Sequence, residues 1–160
     1  MPRAAARPVA LLAMLCLACA RPDAPAEISN SPADLDTATF AASLGVDLEK
    51  SERNAAGLRW RDITVGEGVE VTRGQVIEVY YDGHLPDGTR FEQTPPGRPY
   101  TFRVGVGQVI AGWDQGIVGM RVGGTRQLII PPTLGYGPSP NGPIPGNATL
   151  IFDVEVVAIH

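Results

Sequence analysis

The chain has 160 residues, 44% of them hydrophobic and 19% charged, with 19 glycines, 15 prolines and a formal net charge of −4. That length holds one domain with extensions, not two full domains. An acidic balance with no Lys/Arg run lacks the electrostatic footprint of a nucleic-acid binder, so no nucleic-acid partner is expected.

Residues 1–20 are expected to be an export leader. Met1 to Arg7 carries two arginines and no acid, and Val9 to Ala18 is an apolar run. The run is too short to span a bilayer comfortably and has the length of a signal h-region. Two exits are open. Ala18-Cys19-Ala20 is a small-x-small cleavage site that would release a soluble protein starting at Arg21. Leu17-Ala18-Cys19 is similar to a bacterial lipobox, in which Cys19 becomes the lipidated first residue and the sole tie to a membrane. Cys16 stands where such a box carries a Leu-like residue. Either exit places the domain outside the cytoplasm, in the periplasm, on the outer membrane as a lipoprotein, or secreted as a soluble protein. Both cysteines fall in this leader, so the rest of the chain has no disulfide and must be held by a packed core.

Residues 21–56 read as a polar spacer. Arg21 to Pro32 is rich in Ala, Pro, Ser and Asp, the composition of a solvated linker. Between Asp34 and Glu52, Phe40, Leu44 and Leu48 recur every four residues around Gly45. Two readings fit: a marginal helix that frays in isolation, or a docking or dimerising helix. A protein beginning near Ala55 is expected to fold and work by itself.

From Gly57 the pattern becomes that of strands. Leu58 to Ile63, Val76 to Tyr81, Tyr100 to Val104 and Arg126 to Ile130 are apolar or alternating runs. Leu85-Pro86-Asp87-Gly88-Thr89-Arg90-Phe91 sets Asp-Gly between two apolar ends, a hairpin signal. In the last run Leu150, Phe152, Val154 and Val156 share one face. One helix fits, with Ile110, Trp113, Ile117 and Met120 on one side and Gly112, Gly116 and Gly119 filling much of the rest. Each glycine costs about 1 kcal/mol against alanine in a helix, so the Trp face must hold it. The expected domain, residues 57–160, is α+β: an antiparallel sheet of five to six strands wrapped over one short amphipathic helix.

Few catalytic constellations are available. His84 and His160 are the only histidines, no Cys/His/carboxylate set has metal-ligand spacing, and no Gly-rich phosphate loop is present. No metal and no cofactor is expected. Asp114 and Glu92 are lone carboxylates. What remains is a supply of aromatics: Tyr81, Phe91, Tyr100, Phe102, Trp113, Tyr136 and Phe152. Such residues are core by default, which is the reading kept for Phe102, but this many can line a pocket.

The order of the motifs carries a resemblance. Val79-Tyr80-Tyr81-Asp82-Gly83 followed by Leu85-Pro86-Asp87-Gly88-Thr89-Arg90-Phe91, then Gln108-Val109-Ile110-Ala111-Gly112-Trp113, resembles the signature of the FKBP-type peptidyl-prolyl cis–trans isomerases. Gly123 to Pro131, Leu134-Gly135-Tyr136-Gly137 and Ile144 to Val154 continue it in order. The resemblance implies an FKBP-like fold, proline-containing polypeptides as substrates, macrolides as inhibitors and a monomer without cofactors. Its pocket would be built from Tyr81, Phe91, Val109, Ile110, Trp113, Tyr136, Ile144 and Phe152. Trp113 would be the floor, Phe91 and Phe152 walls, and Tyr136 a donor to the substrate carbonyl, with Tyr100 as a flanking aromatic. Glu92 stands where the family has Asp, one methylene longer, and the segments Pro95 to Tyr100 and Pro138 to Pro143 are proline-rich departures. The implied function is acceleration of X-Pro isomerisation in exported proteins. The alternative is a proline-peptide binding module or holdase chaperone with little turnover.

Overall fold

In the computed structural model, Leu35 and residues 38–160 are described; the leader, Cys19 and most of the expected linker lie outside them. The strands are β1 (Glu52–Arg53), β2 (Arg59–Thr64), β3 (Val76–His84), β4 (Arg90–Gln93), β5 (Tyr100–Arg103), β6 (Thr125–Ile130) and β7 (Leu150–Ile159). They form one antiparallel sheet of seven strands in the order β1-β2-β6-β7-β3-β4, with β5 also on β3. The free edge of β3 is thus divided: Val76 to Val79 pair with β5, and Asp82 to His84 pair with β4.

Alternation decides which face is core. Leu150, Phe152, Val154 and Val156 of β7 join Ile77 and Val79 of β3 and Leu128 and Ile130 of β6 in one buried cluster. The helix α1 (Ala111–Gly116) covers this face. It is shorter than its sequence pattern suggests. Ile117 closes it and Met120 lies beyond, yet both remain buried, because Gly119 at φ +84° turns the chain back onto the core. The helical glycines do more than weaken it. A Cβ on Gly112 would stand 2.5 Å from Ile130 Cγ2, and one on Gly116 2.7 Å from Leu128 Cδ2, so both let the helix lie close on β6. The helix end is satisfied by Arg126, whose guanidinium donates to the carbonyls of Gly116 (2.8 Å) and Val118 (3.3 Å). The same group pairs in a fork with Asp62, at 2.6 and 3.0 Å.

The segment read as a weak helix forms only a single 3-10 turn, Ala42–Leu44, ended by Gly45 at φ +57°. From Ala38 onward it docks on the outer face of the sheet, and it contributes β1. Gln127 Nε2 donates to the Leu44 carbonyl at 2.8 Å, Arg61 to that of Gly45 at 2.8 Å, and Arg59 to that of Leu48 at 3.2 Å. Ile129 and Ile151, neighbours across β6 and β7, point away from α1 and are still buried there. Tertiary contact has overridden the four-residue repeat of Phe40, Leu44 and Leu48. Among the described residues no helix is long and apolar enough to cross a membrane.

Candidate functional site

The site opens where β3, β7 and α1 meet. Gly83 on β3 pairs with Phe152 on β7, and its missing side chain makes room for two rings. A Cβ there would lie 2.8 Å from Phe152 Cε1 and 2.9 Å from two carbons of Phe91. Phe91 and Phe152 accordingly meet edge to face, centroids 5.4 Å apart at 88°. Trp113 rises from α1 beneath them, with edge contacts to Tyr81 at 4.9 Å and Phe152 at 5.2 Å. Tyr100 flanks Trp113 at 6.4 Å and stacks on the buried Phe102 at 5.6 Å.

These rings enclose a cavity of about 440 Å³ lined by Tyr81, Glu92, Tyr100, Gly107, Gln108, Val109, Ile110, Trp113, Tyr136 and Phe152. Phe91 and Ile144 are not on its wall. They line an adjoining cavity of about 210 Å³ with Glu92, Tyr136, Asn141, Gly142 and Pro143. Glu92 and Tyr136 therefore stand on the divide between the two spaces.

Loops deliver several of these side chains, and side-chain-to-backbone hydrogen bonds fix the loops. Asp114, in the first turn of α1, accepts from the backbone N–H of Gly105 at 2.8 Å and of Gly107 at 2.7 Å. Both glycines sit at positive φ. Gln108 Oε1 accepts from the Arg103 N–H at 2.8 Å. Residues 103–110 are pinned in this way, which carries Val109 and Ile110 to the cavity. Asp114 is thus occupied structurally, and its role was not legible as a lone carboxylate. The signal was the pair Gly105 and Gly107 just upstream of an acid in a helix's first turn. Gly107 and Gln108 also line the cavity without having been singled out as site residues. On the other rim, Asn141 and Ile144 exchange backbone bonds of 2.9 and 3.0 Å, holding the loop that presents Ile144.

The polar groups are hydroxyls and one carboxylate. Tyr81 donates to Glu92. Burial, and then the negative charge of Glu92, push the Tyr81 hydroxyl well above the usual tyrosine range; the same two causes raise Tyr136, with Tyr100 adding to both. Both phenols therefore keep their protons at neutral pH and remain donors. Tyr136 is 37% exposed, accessible from the cavity mouth. His84 alternates to the outer face of β3, 3.7 Å from Asp82. No group of three His, Cys, Asp or Glu among the described residues could hold a metal ion. A cleft walled by aromatic rings, with hydroxyl donors and the Glu92 carboxylate among its lining, can bind a small ring and hold a carbonyl.

Residues 67–157 match the sequence profile described as FKBP-type peptidyl-prolyl cis-trans isomerase. The chain is 42% identical over 148 residues to the Photosynthetic NDH subunit of lumenal location 4, chloroplastic, of Arabidopsis thaliana, covering 83% of this chain and 68% of that protein. It is 46% identical over 106 residues to the FK506-binding protein of Neisseria meningitidis serogroup B, covering 65% of this chain and 97% of that one. Among solved structures, that of AtFKBP13 superposes with a TM-score of 0.65 at 40% identity, over 69% of this chain and 98% of the other.

Proposed function

The chain belongs to the FKBP-type peptidyl-prolyl cis–trans isomerases, and we propose that it uses the aromatic cleft to speed X-Pro isomerisation in polypeptides folding outside the cytoplasm. The observation that carries the site assignment is the cleft itself, floored by Trp113 and open beside Tyr136.

An X-Pro amide is planar because resonance moves charge onto its oxygen, and the barrier to rotation is about 18–20 kcal/mol. Unaided, the bond turns over in tens to hundreds of seconds. Resonance is lost at the twisted transition state, and the group becomes less polar. The apolar faces of Trp113, Phe152, Val109 and Ile110 disfavour the planar amide relative to the twisted one, which is binding selective for the transition state. In this reading the proline ring rests on Trp113 between Tyr81, Val109, Ile110 and Phe152, with Tyr100 flanking it. Tyr136 donates to the carbonyl of the residue before proline. Glu92 accepts from Tyr81 and so holds that ring in place. Phe91 backs Phe152, and with Ile144 it lines the side cavity that receives the flanking chain. One chain supplies every one of these groups, so the working unit is taken as a monomer. FK506-like macrolides are expected to compete for the same cleft.

No proton changes hands in this scheme. A protease-coupled assay on X-Pro tetrapeptides is expected to show acceleration that is nearly flat from about pH 6 to 8.5 and indifferent to chelators. The raised tyrosines agree in sign. Folding holds their protons more tightly than the unfolded chain does, so the associated stability is intact below about pH 10 and lost as pH rises above it. A bell-shaped profile would mean that a titrating group acts chemically. Binding of X-Pro peptides without acceleration would leave only a binding module.

Residues 1–20 are proposed to export the domain, with Cys19 as the lipid-bearing residue. The charge and length of that segment support this, as does the lumenal location in the name of the Arabidopsis relative. In a bacterial host the mature protein is expected in the membrane fraction with an acylated mass, and Cys19→Ala should release it. A soluble product starting at Arg21 would end the lipid anchor and leave export standing. A cytoplasmic product retaining Met1 would end both.

A further inference from the structure

Phe91 is held less firmly by the sheet than its neighbours. β4 is a four-residue edge strand, and its register slips on β3: Glu92 pairs with Gly83 and Arg90 with His84, leaving Phe91 as the extra residue of a bulge. A bulged residue takes no position from the ladder, so its placement depends on what supports the hairpin. The turn at the tip is internally tied. Leu85 N–H donates to the Thr89 carbonyl at 2.8 Å, Gly88 N–H to that of Leu85 at 2.9 Å, and Thr89 N–H to Asp87 Oδ1 at 2.8 Å. A displacement at this tip is therefore passed on to β4.

The docked N-terminal segment reaches that tip. Ala41 N–H donates to the Pro86 carbonyl at 2.8 Å. Gly88, at φ +89°, is approached so closely that a Cβ there would lie 3.2 Å from Ser43 Oγ and 3.3 Å from Ala41 Cβ. A few residues on, the same segment is fixed to β2 and β6 through the carbonyls of Leu44, Gly45 and Leu48. It spans from the middle of the sheet to the free end of the hairpin.

We propose that residues 38–50 are a brace for the catalytic wall, and that Ala41, through its N–H on Pro86, is a positioning residue for Phe91 and Glu92. The segment is then part of the working enzyme, and a protein beginning near Ala55 binds substrate poorly even where it folds. The inference rests on the isomerase reading of the cleft.

The test is Ala41→Pro in the full-length chain. Ala41 has φ −59°, the angle proline itself prefers, so the substitution removes the N–H with little backbone strain. Ala41→Ser keeps the donor, and Ala42→Pro places the same ring at the first position of the 3-10 turn, where it is tolerated. With one hydrogen bond at stake, KM for an X-Pro tetrapeptide is expected to rise about fivefold in Ala41→Pro, with kcat within about twofold of wild type. Ala41→Ser and Ala42→Pro should match wild type. A purely structural role would instead shift the unfolding transition and leave KM untouched at temperatures where the protein is folded; that result overturns the proposal. If Ala41→Pro does not fold, Arg61→Ala removes the anchor on Gly45 from the sheet side. A smaller rise in KM supports the brace, and a wild-type KM sinks it. An inactive wild-type chain would instead remove the isomerase reading beneath it.

Discussion

Phe152→Ala is expected to lower kcat/KM on an X-Pro tetrapeptide by about a hundredfold, equivalent to about 2.7 kcal/mol of transition-state stabilisation. Phe152 is fully buried, and its ring touches Phe91, Trp113 and Tyr81 with centroids 5.4, 5.2 and 6.0 Å away. Removing it takes a wall from the cleft and frees the other rings to tilt into the gap. The same change costs about 3–5 kcal/mol of stability, a large part of a total of about 5–15 kcal/mol. Kinetics must therefore be read well below the unfolding transition, with urea denaturation run in parallel. Phe152→Leu keeps much of the volume without the flat face and should stay folded while recovering little activity. Near-wild-type turnover in folded Phe152→Ala would show that this ring does not shape the reacting space.

Gly83→Ala tests the same geometry from the opposite direction, by adding one carbon. Two effects compete. Alanine restricts the unfolded chain and would stabilise by about 0.4–1 kcal/mol where it fits. Here its Cβ would lie 2.8 to 2.9 Å from carbons of Phe152 and Phe91. Those rings cannot retreat freely, because Phe152 is already wedged against Trp113 and Tyr81. Overpacking of this kind costs about 1–3 kcal/mol, so packing wins over chain entropy. The rings part, Phe91 rides outward on its bulge, and kcat/KM should fall by about tenfold or more with the sheet intact. Near-ultraviolet circular dichroism reports the ring geometry beside the kinetics. Unchanged rates and an unchanged aromatic spectrum would mean that the rings yield without cost.

The sheet was legible where one face is buried and the other wet. Leu150, Phe152, Val154 and Val156 announce β7 by alternation alone, and Asp87-Gly88 announces the β3–β4 turn. The motif order then points to Tyr81, Trp113 and Tyr136, which do converge on one cavity. Local pattern was a poorer guide where partners are distant in sequence. Gln127 reaches Leu44 across 83 positions, and nothing near Leu44, Gly45 or Leu48 signals that their backbone carbonyls will be claimed by β2 and β6. The helix extent was overread for a related reason. Ile117 and Met120 keep the helical spacing because they face the same core, although the chain turns at Gly119 between them. Phe91 and Ile144 belong to the neighbouring cavity because a bulge and a proline-rich loop aim them, and neither device leaves a periodic trace.

The position of β7 also bears on how the chain can be made. This strand follows every other described strand in sequence and lies in the middle of the sheet, with β6 on one side and β3 on the other. A chain growing from its N-terminus has every other strand in hand before residues 150–159 emerge, yet β3 and β6 have nothing between them to join. Closure must wait for the final segment, and the contacts it makes are distant in sequence, the slow kind to form. Until then the halves of the sheet expose unpaired edges and the face meant for Trp113. Strand β7 acts as a keystone between β6 and β3, and the cleft it closes comes into being once that strand is laid.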